Sequence, residues 1–187
     1  MRRVIVPVLM ISLLLGGCGD EAKHEEKIGE LRTELAQAAE ISFTADITAD
    51  LGGSDFACRL QCTATGDETE IEVVEPENIA GITARLKAGE ASLSYEGVEL
   101  YIGALKGNLS PVSAVPVLLD ALKNGYLTQC WREGGEEQTL LAAQVYVDEN
   151  TSALLYFDEE NMQLLHGELV IDGKTVVQCG ISGLTIS

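Results

Sequence analysis

Five cysteines, two histidines and a surplus of carboxylates are the groups in this chain with chemistry to offer. Cys58 and Cys62 stand four residues apart, Cys130 and Cys179 stand alone, and His24 and His166 fall outside any ligand spacing. Such cysteines can cross-link, stay as buried thiols, or hold zinc. A Cys-x3-Cys pair with two distant single cysteines is a poor zinc pattern, so neither a metal nor a cofactor is expected. On an extended strand Cys58 and Cys62 share a face but lie about 13 Å apart, at about 3.3 Å per residue, too far to bridge each other. The disulfide reading leaves Cys58 with Cys130 and Cys62 with Cys179, or the reverse; free buried thiols are the alternative.

Catalytic motifs are scarce. The chain has no Gly-x-Ser-x-Gly elbow, no His-Glu-x-x-His, no P-loop and no dinucleotide fingerprint. Glu133 with Glu136 or Glu137 has the makings of a glycosidase pair, yet among 30 acidic residues such pairs arise by chance. With His24 in the expected tether of residues 18–27, His166 is the one plausible catalytic imidazole. No enzyme is expected. Asp148-Glu149-Asn150 and Asp158-Glu159-Glu160-Asn161 lack the spaced oxygen ligands of a calcium loop and read as turns.

The remaining cysteine has a clearer assignment. Arg2 and Arg3 precede an apolar run from Val4 to Leu15, which ends in Leu15-Gly16-Gly17-Cys18. A short basic region, an apolar core too short to span a bilayer, and small residues before the cleavage point describe an export signal over residues 1–17. Leu15-Gly16-Gly17-Cys18 resembles the bacterial lipoprotein box, which implies that Cys18 is lipidated with palmitate-type acyl chains and becomes the first mature residue. Each buried methylene contributes about 0.8 kcal/mol of membrane affinity, so two or three chains would hold the protein at the extracytoplasmic face of the cell membrane.

The charge balance narrows the partners. Of 187 residues, 12 are basic and 30 acidic, a net charge of −18; losing Arg2 and Arg3 with the leader leaves ten bases against thirty acids, a net of −20. That surface repels nucleic acid phosphates. A mature length near 170 residues suits one domain with a real core, expected to be a monomer.

The elements that must position these groups follow from periodicity. Residues 18–27 are polar and read as a tether. Ile28, Leu31, Leu35 and Ala38 recur at helical spacing up to about Ala39. From Ile41 the period becomes two: Ile41, Phe43, Ala45, Ile47 and Ala49, then Phe56, Cys58, Leu60, Cys62 and Ala64 after the Gly52-Gly53-Ser54 turn. Further strands are predicted at 69–74, 82–87, 91–95 and 98–102. Ser113 can cap a helix carrying Val115, Leu118, Leu119 and Leu122, with Pro116 tolerated in its first turn. Four β segments follow Asn124-Gly125, and Asp172-Gly173 is a hairpin signal before the last strand. The pattern is mainly β (α+β): a curved antiparallel sheet or incomplete β-barrel of about ten strands covered by two helices.

A helix, a meander, a mid-chain helix and a closing hairpin behind a lipoprotein box resemble the LolA/LolB-like lipoprotein-carrier superfamily. The resemblance rests on Val74-Glu75-Pro76-Glu77-Asn78-Ile79-Ala80-Gly81-Ile82, on Leu93-Ser94-Tyr95-Glu96-Gly97-Val98, and on Leu109-Ser110-Pro111. It looks closest to uncharacterised Gram-positive lipoproteins of that fold. It implies a LolA-like domain over residues 28–187: a half-barrel under a helical lid, with acyl chains held in the hollow. Arg59 and Arg85 are the candidates for the family's barrel arginine.

Two functions compete. In one, a hollow lined by Phe43, Ile47, Phe56, Leu60, Leu93, Leu100, Leu118, Leu122 and Val145 binds a lipid or acyl chain at the cell envelope. In the other, side chains fill the hollow, no ligand-sized space remains, and the domain is an envelope structural or protein-interaction lipoprotein.

Overall fold

The computed structural model describes residues 18–50, 55–104, 111–134 and 139–187. The leader 1–17, the Gly52-Gly53-Ser54 turn, Leu109 and Ser110, and Glu136 with Glu137 lie outside the described residues, as does the side chain of Cys18.

Eleven strands form one antiparallel sheet. Helix α1 (Cys18–Gln37) leads into β1 (Glu40–Asp50), β2 (Asp55–Thr65), β3 (Glu68–Glu75), β4 (Thr83–Lys87), β5 (Glu90–Tyr95) and β6 (Val98–Ala104). Helix α2 (Pro111–Asn124) then carries the chain to β7 (Tyr126–Gly134), β8 (Thr139–Tyr146), β9 (Thr151–Asp158), β10 (Leu164–Ile171) and β11 (Lys174–Ile186). The spatial order is β6-β5-β4-β3-β2-β1-β11-β10-β9-β8-β7. Each half is a meander of neighbours in sequence, and the pairing of β1 with β11 joins them. Among the described residues β6 and β7 are free edges, so the barrel is incomplete, and α2 lies between these two edge strands in chain order.

Local chemistry accounts for the turns. Ala88-Gly89, Glu96-Gly97 and Asp172-Gly173 each place two successive residues at positive φ, the two-residue hairpin geometry that matches strand twist. The Oδ1 of Asp148 accepts from the N–H groups of Asn150 and Thr151 at 2.9 and 2.8 Å, and that of Asp158 accepts from Glu160 and Asn161 at 2.9 and 3.1 Å. These carboxylates therefore work inside Asx-turns.

The helices depart from the sequence reading. Residues 18–27 are the first half of α1: His24 is buried with Ile28, Leu31 and Leu35, extending the same apolar stripe by one turn. His24 Nε2 lies 3.5 Å from Glu159, and Lys27 Nζ donates to the Glu159 carbonyl at 2.9 Å. The 3.6 periodicity missed this because the buried residue of that turn is polar and acquires its partner from the β9–β10 turn. Helix α2 opens at Pro111, where a fixed φ and a missing N–H cost nothing. Ser113 is accordingly inside the helix, and Pro116 sits in its interior rather than its first turn.

Candidate functional site

Strand register lays two transverse rows of side chains across the concave face. One runs Phe43, Cys62, Ile71, Ala84, Leu93, Leu100 from β1 to β6. The other runs Cys58, Ile47, Cys179, Gly167, Leu155, Ala143, Cys130 from β2 through β1 to β7. Helix α2 packs over β1 and β8 to β11, and α1 packs against α2 and β7.

Of the residues expected in the hollow, Phe43, Ile47, Leu60, Leu118, Leu122 and Val145 come together in one buried core. Phe56 and Leu93 are partly buried against it. Leu100 is not in the hollow: it is 63% exposed, in keeping with its place on the free edge strand β6. The first row thus begins buried beneath α2 and ends in solvent.

The hollow is nearly closed. Under α2 an apolar gap of about 10 Å³ is lined by Phe43, Val115, Leu118, Leu119, Leu164, Cys179 and Ile181, about the least that one water needs. Gly167 makes the close approach possible. A β-carbon there would lie 3.1 and 3.3 Å from the two methyls of Leu118. Sequence reasoning missed Gly167, although a glycine inside a strand signals close approach of another element. Larger space is open: a shallow groove of about 420 Å³ at the strand ends is lined by Phe56, Ala49 and Val177 together with Thr48, Ala57 and residues 175, 176 and 178.

All four described cysteines are buried free thiols, which corrects both disulfide schemes. Each scheme pairs Cys179 with Cys58 or Cys62, yet β1 runs between β11 and β2, and two interstrand steps of about 4.8 Å exceed the reach of a disulfide. Burial, reinforced by Asp46, pushes Cys58 up to about 11, and burial with Cys58 nearby pushes Cys179 up to about 12. Burial raises Cys62 in the same way. These are inert apolar fillers rather than nucleophiles.

Arg32 is the polar exception. Its Nε and Nη2 are shut off from solvent and meet no hydrogen-bond partner among the described residues. Burial lowers its pKa, while Cys130 on the concave face of β7 acts in the opposite direction. Ile28, Arg32 and Leu35 stand at helical spacing, so an arginine within the apolar stripe was the available signal. His166, by contrast, lies beside Glu168 at 3.3 Å, and its ring tilts against Tyr156 with centroids 5.6 Å apart. It has the makings of a surface pair.

No family model matches the chain, and no curated protein matches it. Solved structures do. One, described as an outer membrane lipoprotein-sorting protein domain from Vibrio parahaemolyticus, superposes with a TM-score of 0.50 at 10% identity, covering 88% of this chain and 93% of that one. The chain shares the fold of this lipoprotein-sorting domain. A DUF1329 family protein from Desulfovibrio piger has a TM-score of 0.52 at 9% identity, with coverage of 88% and 92%, and a conserved protein from Thermus thermophilus has 0.50 at 10%, with 87% of each. These likenesses are of fold and do not extend to a Gram-positive subgroup. Neither Arg59 nor Arg85 faces the hollow. Arg59 pairs with Asp46 at 2.7 Å and Glu75 at 3.2 Å, and Arg85 with Glu70 at 2.8 Å. Asp46 and Arg59 alternate with the buried residues of β1 and β2, so their ladder lies on the convex face.

Proposed function

We propose that this protein is an extracytoplasmic lipoprotein, anchored through Cys18, that holds a lipid or acyl chain between α2 and the concave sheet and has no catalytic role. The observation that carries this reading is a continuous apolar floor covered by a helix that lays Val115, Leu118, Leu119 and Leu122 against it. Lifting such a helix re-exposes four large side chains, on the order of 6–12 kcal/mol at about 1.5–3 each. An acyl chain of about a dozen methylenes, at about 0.8 kcal/mol apiece, offsets a cost of that size. The same arithmetic makes the ligand-free state close, because an open empty hollow leaves that surface in water. With Cys18 opening α1 and His24 already packed against the domain, about six residues at about 1.5 Å each separate the anchor from the fold.

The second reading, an envelope docking protein, draws on the closed gap and on free edge β6, where Val98, Leu100, Tyr101 and Ile102 are exposed. One experiment separates the two. Protein extracted gently from membranes carries non-covalent lipid detectable by native mass spectrometry, and delipidated protein takes up a fluorescent fatty acid, if the carrier reading holds. Protein that is lipid-free and ignores the probe belongs to the second.

A further inference from the structure

Arg32 stands out against the electrostatics of the whole chain. Thirty acids outnumber twelve bases, and the other three described arginines each face a carboxylate: Arg59 with Asp46, Arg85 with Glu70, Arg132 with Glu159. Arg32 alone keeps two donors dry and unmatched among the described residues. Its own helix offers no remedy. The positions three and four residues away are Ile28, Gly29, Leu35 and Ala36, none able to accept a hydrogen bond from a side chain. Across from it is Cys130, in the same concave row as Cys179 and Cys58.

The two unmatched atoms matter as a pair. Nε and Nη2 form one edge of the guanidinium, with parallel N–H bonds that fit the two oxygens of a carboxylate side-on. Arg132 uses that same edge toward Glu159, with Nε 2.7 Å from Oε1. An arginine edge withheld from water and from protein acceptors is unfavourable in the empty protein, and the arrangement becomes favourable when an anion enters.

We infer that Arg32 receives the carboxylate of a long-chain acid whose alkyl tail lies in the hollow under α2, so that the protein selects ionised fatty acids over neutral lipids. This rests on the carrier reading above and adds the head-group class to it.

The test uses the full-length processed protein in maltoside micelles, titrated with dansyl-undecanoic acid and with its methyl ester. Partition into detergent is common to wild type and variants, so the ratio of acid to ester affinity reports the protein. Wild type is expected to show a ratio at least about ten times that of Arg32→Met, with ester binding equal in the two. Arg32→Lys, which keeps the charge and loses the fork, is expected to fall between. Arg32→Met is also expected to melt no lower than wild type, because it removes a buried group without a partner; a residue with only a structural role would lower the melting temperature. Equal ratios, with both probes bound, overturn the Arg32 assignment and leave the carrier reading standing. Loss of ester binding along with acid binding in a folded Arg32→Met also overturns it, since Arg32 would then be shaping the hollow. Failure of wild type to bind either probe overturns both.

Discussion

Replacing Gly167 with valine tests whether α2 rests on the sheet as tightly as the geometry states. An added β-carbon would sit 3.1 Å from one methyl of Leu118, 3.3 Å from the other and 3.6 Å from Leu155. The first two distances are tighter than ordinary packing, and valine adds two more carbons beyond them. The gap of about 10 Å³ nearby cannot absorb them. Over-packing of this kind costs about 1–3 kcal/mol, slightly reduced by what the strand gains when glycine is replaced. Leu118→Ala alone should cost about 2–5 kcal/mol, by lost burial and by the cavity it leaves. Combined, the valine occupies part of the vacated space, so the double variant should be more stable than the sum of the singles by about 1–2 kcal/mol. Urea unfolding, where slopes of about 1–3 kcal/mol/M are usual, resolves such a difference as a midpoint shift. Additive single effects would show that Leu118 does not press on Gly167, and the account of how α2 closes the hollow would fail.

Other outcomes are equally checkable. Cys58, Cys62, Cys130 and Cys179 should map as free thiols in non-reducing peptide analysis, and at pH 8 the first two and Cys179 should react with a thiol reagent only after unfolding, because burial holds them far above that pH; fast native labelling would contradict their burial. Glu159 is held below its ordinary value of 4.5, first by its hydrogen bond from Arg132, and Asp148 below 3.8, first by the N–H of Asn150. Their stabilisation is therefore complete above those values and is lost as pH falls through the depressed ones, so Glu159→Gln should flatten the acid limb of a stability profile below about pH 4.5 and leave pH 7 and above parallel to wild type. Gly125→Ala should be more damaging than most surface changes, since its β-carbon would meet Val145 at 2.2 Å and the Ala121 carbonyl oxygen at 2.6 Å; an unaltered thermal midpoint would refute that contact. Mass spectrometry should find an acylated Cys18 at the mature N-terminus, and Cys18→Ser should abolish it.

Much of the fold was readable from spacing alone. Period-two alternation such as Ile41, Phe43, Ala45, Ile47 and Ala49 must put one set of side chains on one face, and all five are buried. Asp172-Gly173 and Glu96-Gly97 select one tight turn because only a few residue types accept positive φ twice in succession. Both effects act over two to four residues, and the sequence contains everything they depend on. What spans the sheet was decided elsewhere. That Cys58 and Cys179 flank Ile47 out of bonding reach, that Leu100 falls on an edge beyond the helices, and that Arg59 faces outward toward Asp46 and Glu75 depend on strand order and register between segments more than a hundred residues apart in the extreme case. Nor does spacing reveal His24 joining the domain or Arg32 losing its partners, because burial of a polar side chain depends on which element arrives opposite it. Local periodicity determines which face is apolar; the tertiary structure alone determines how much of that face is covered, and by what.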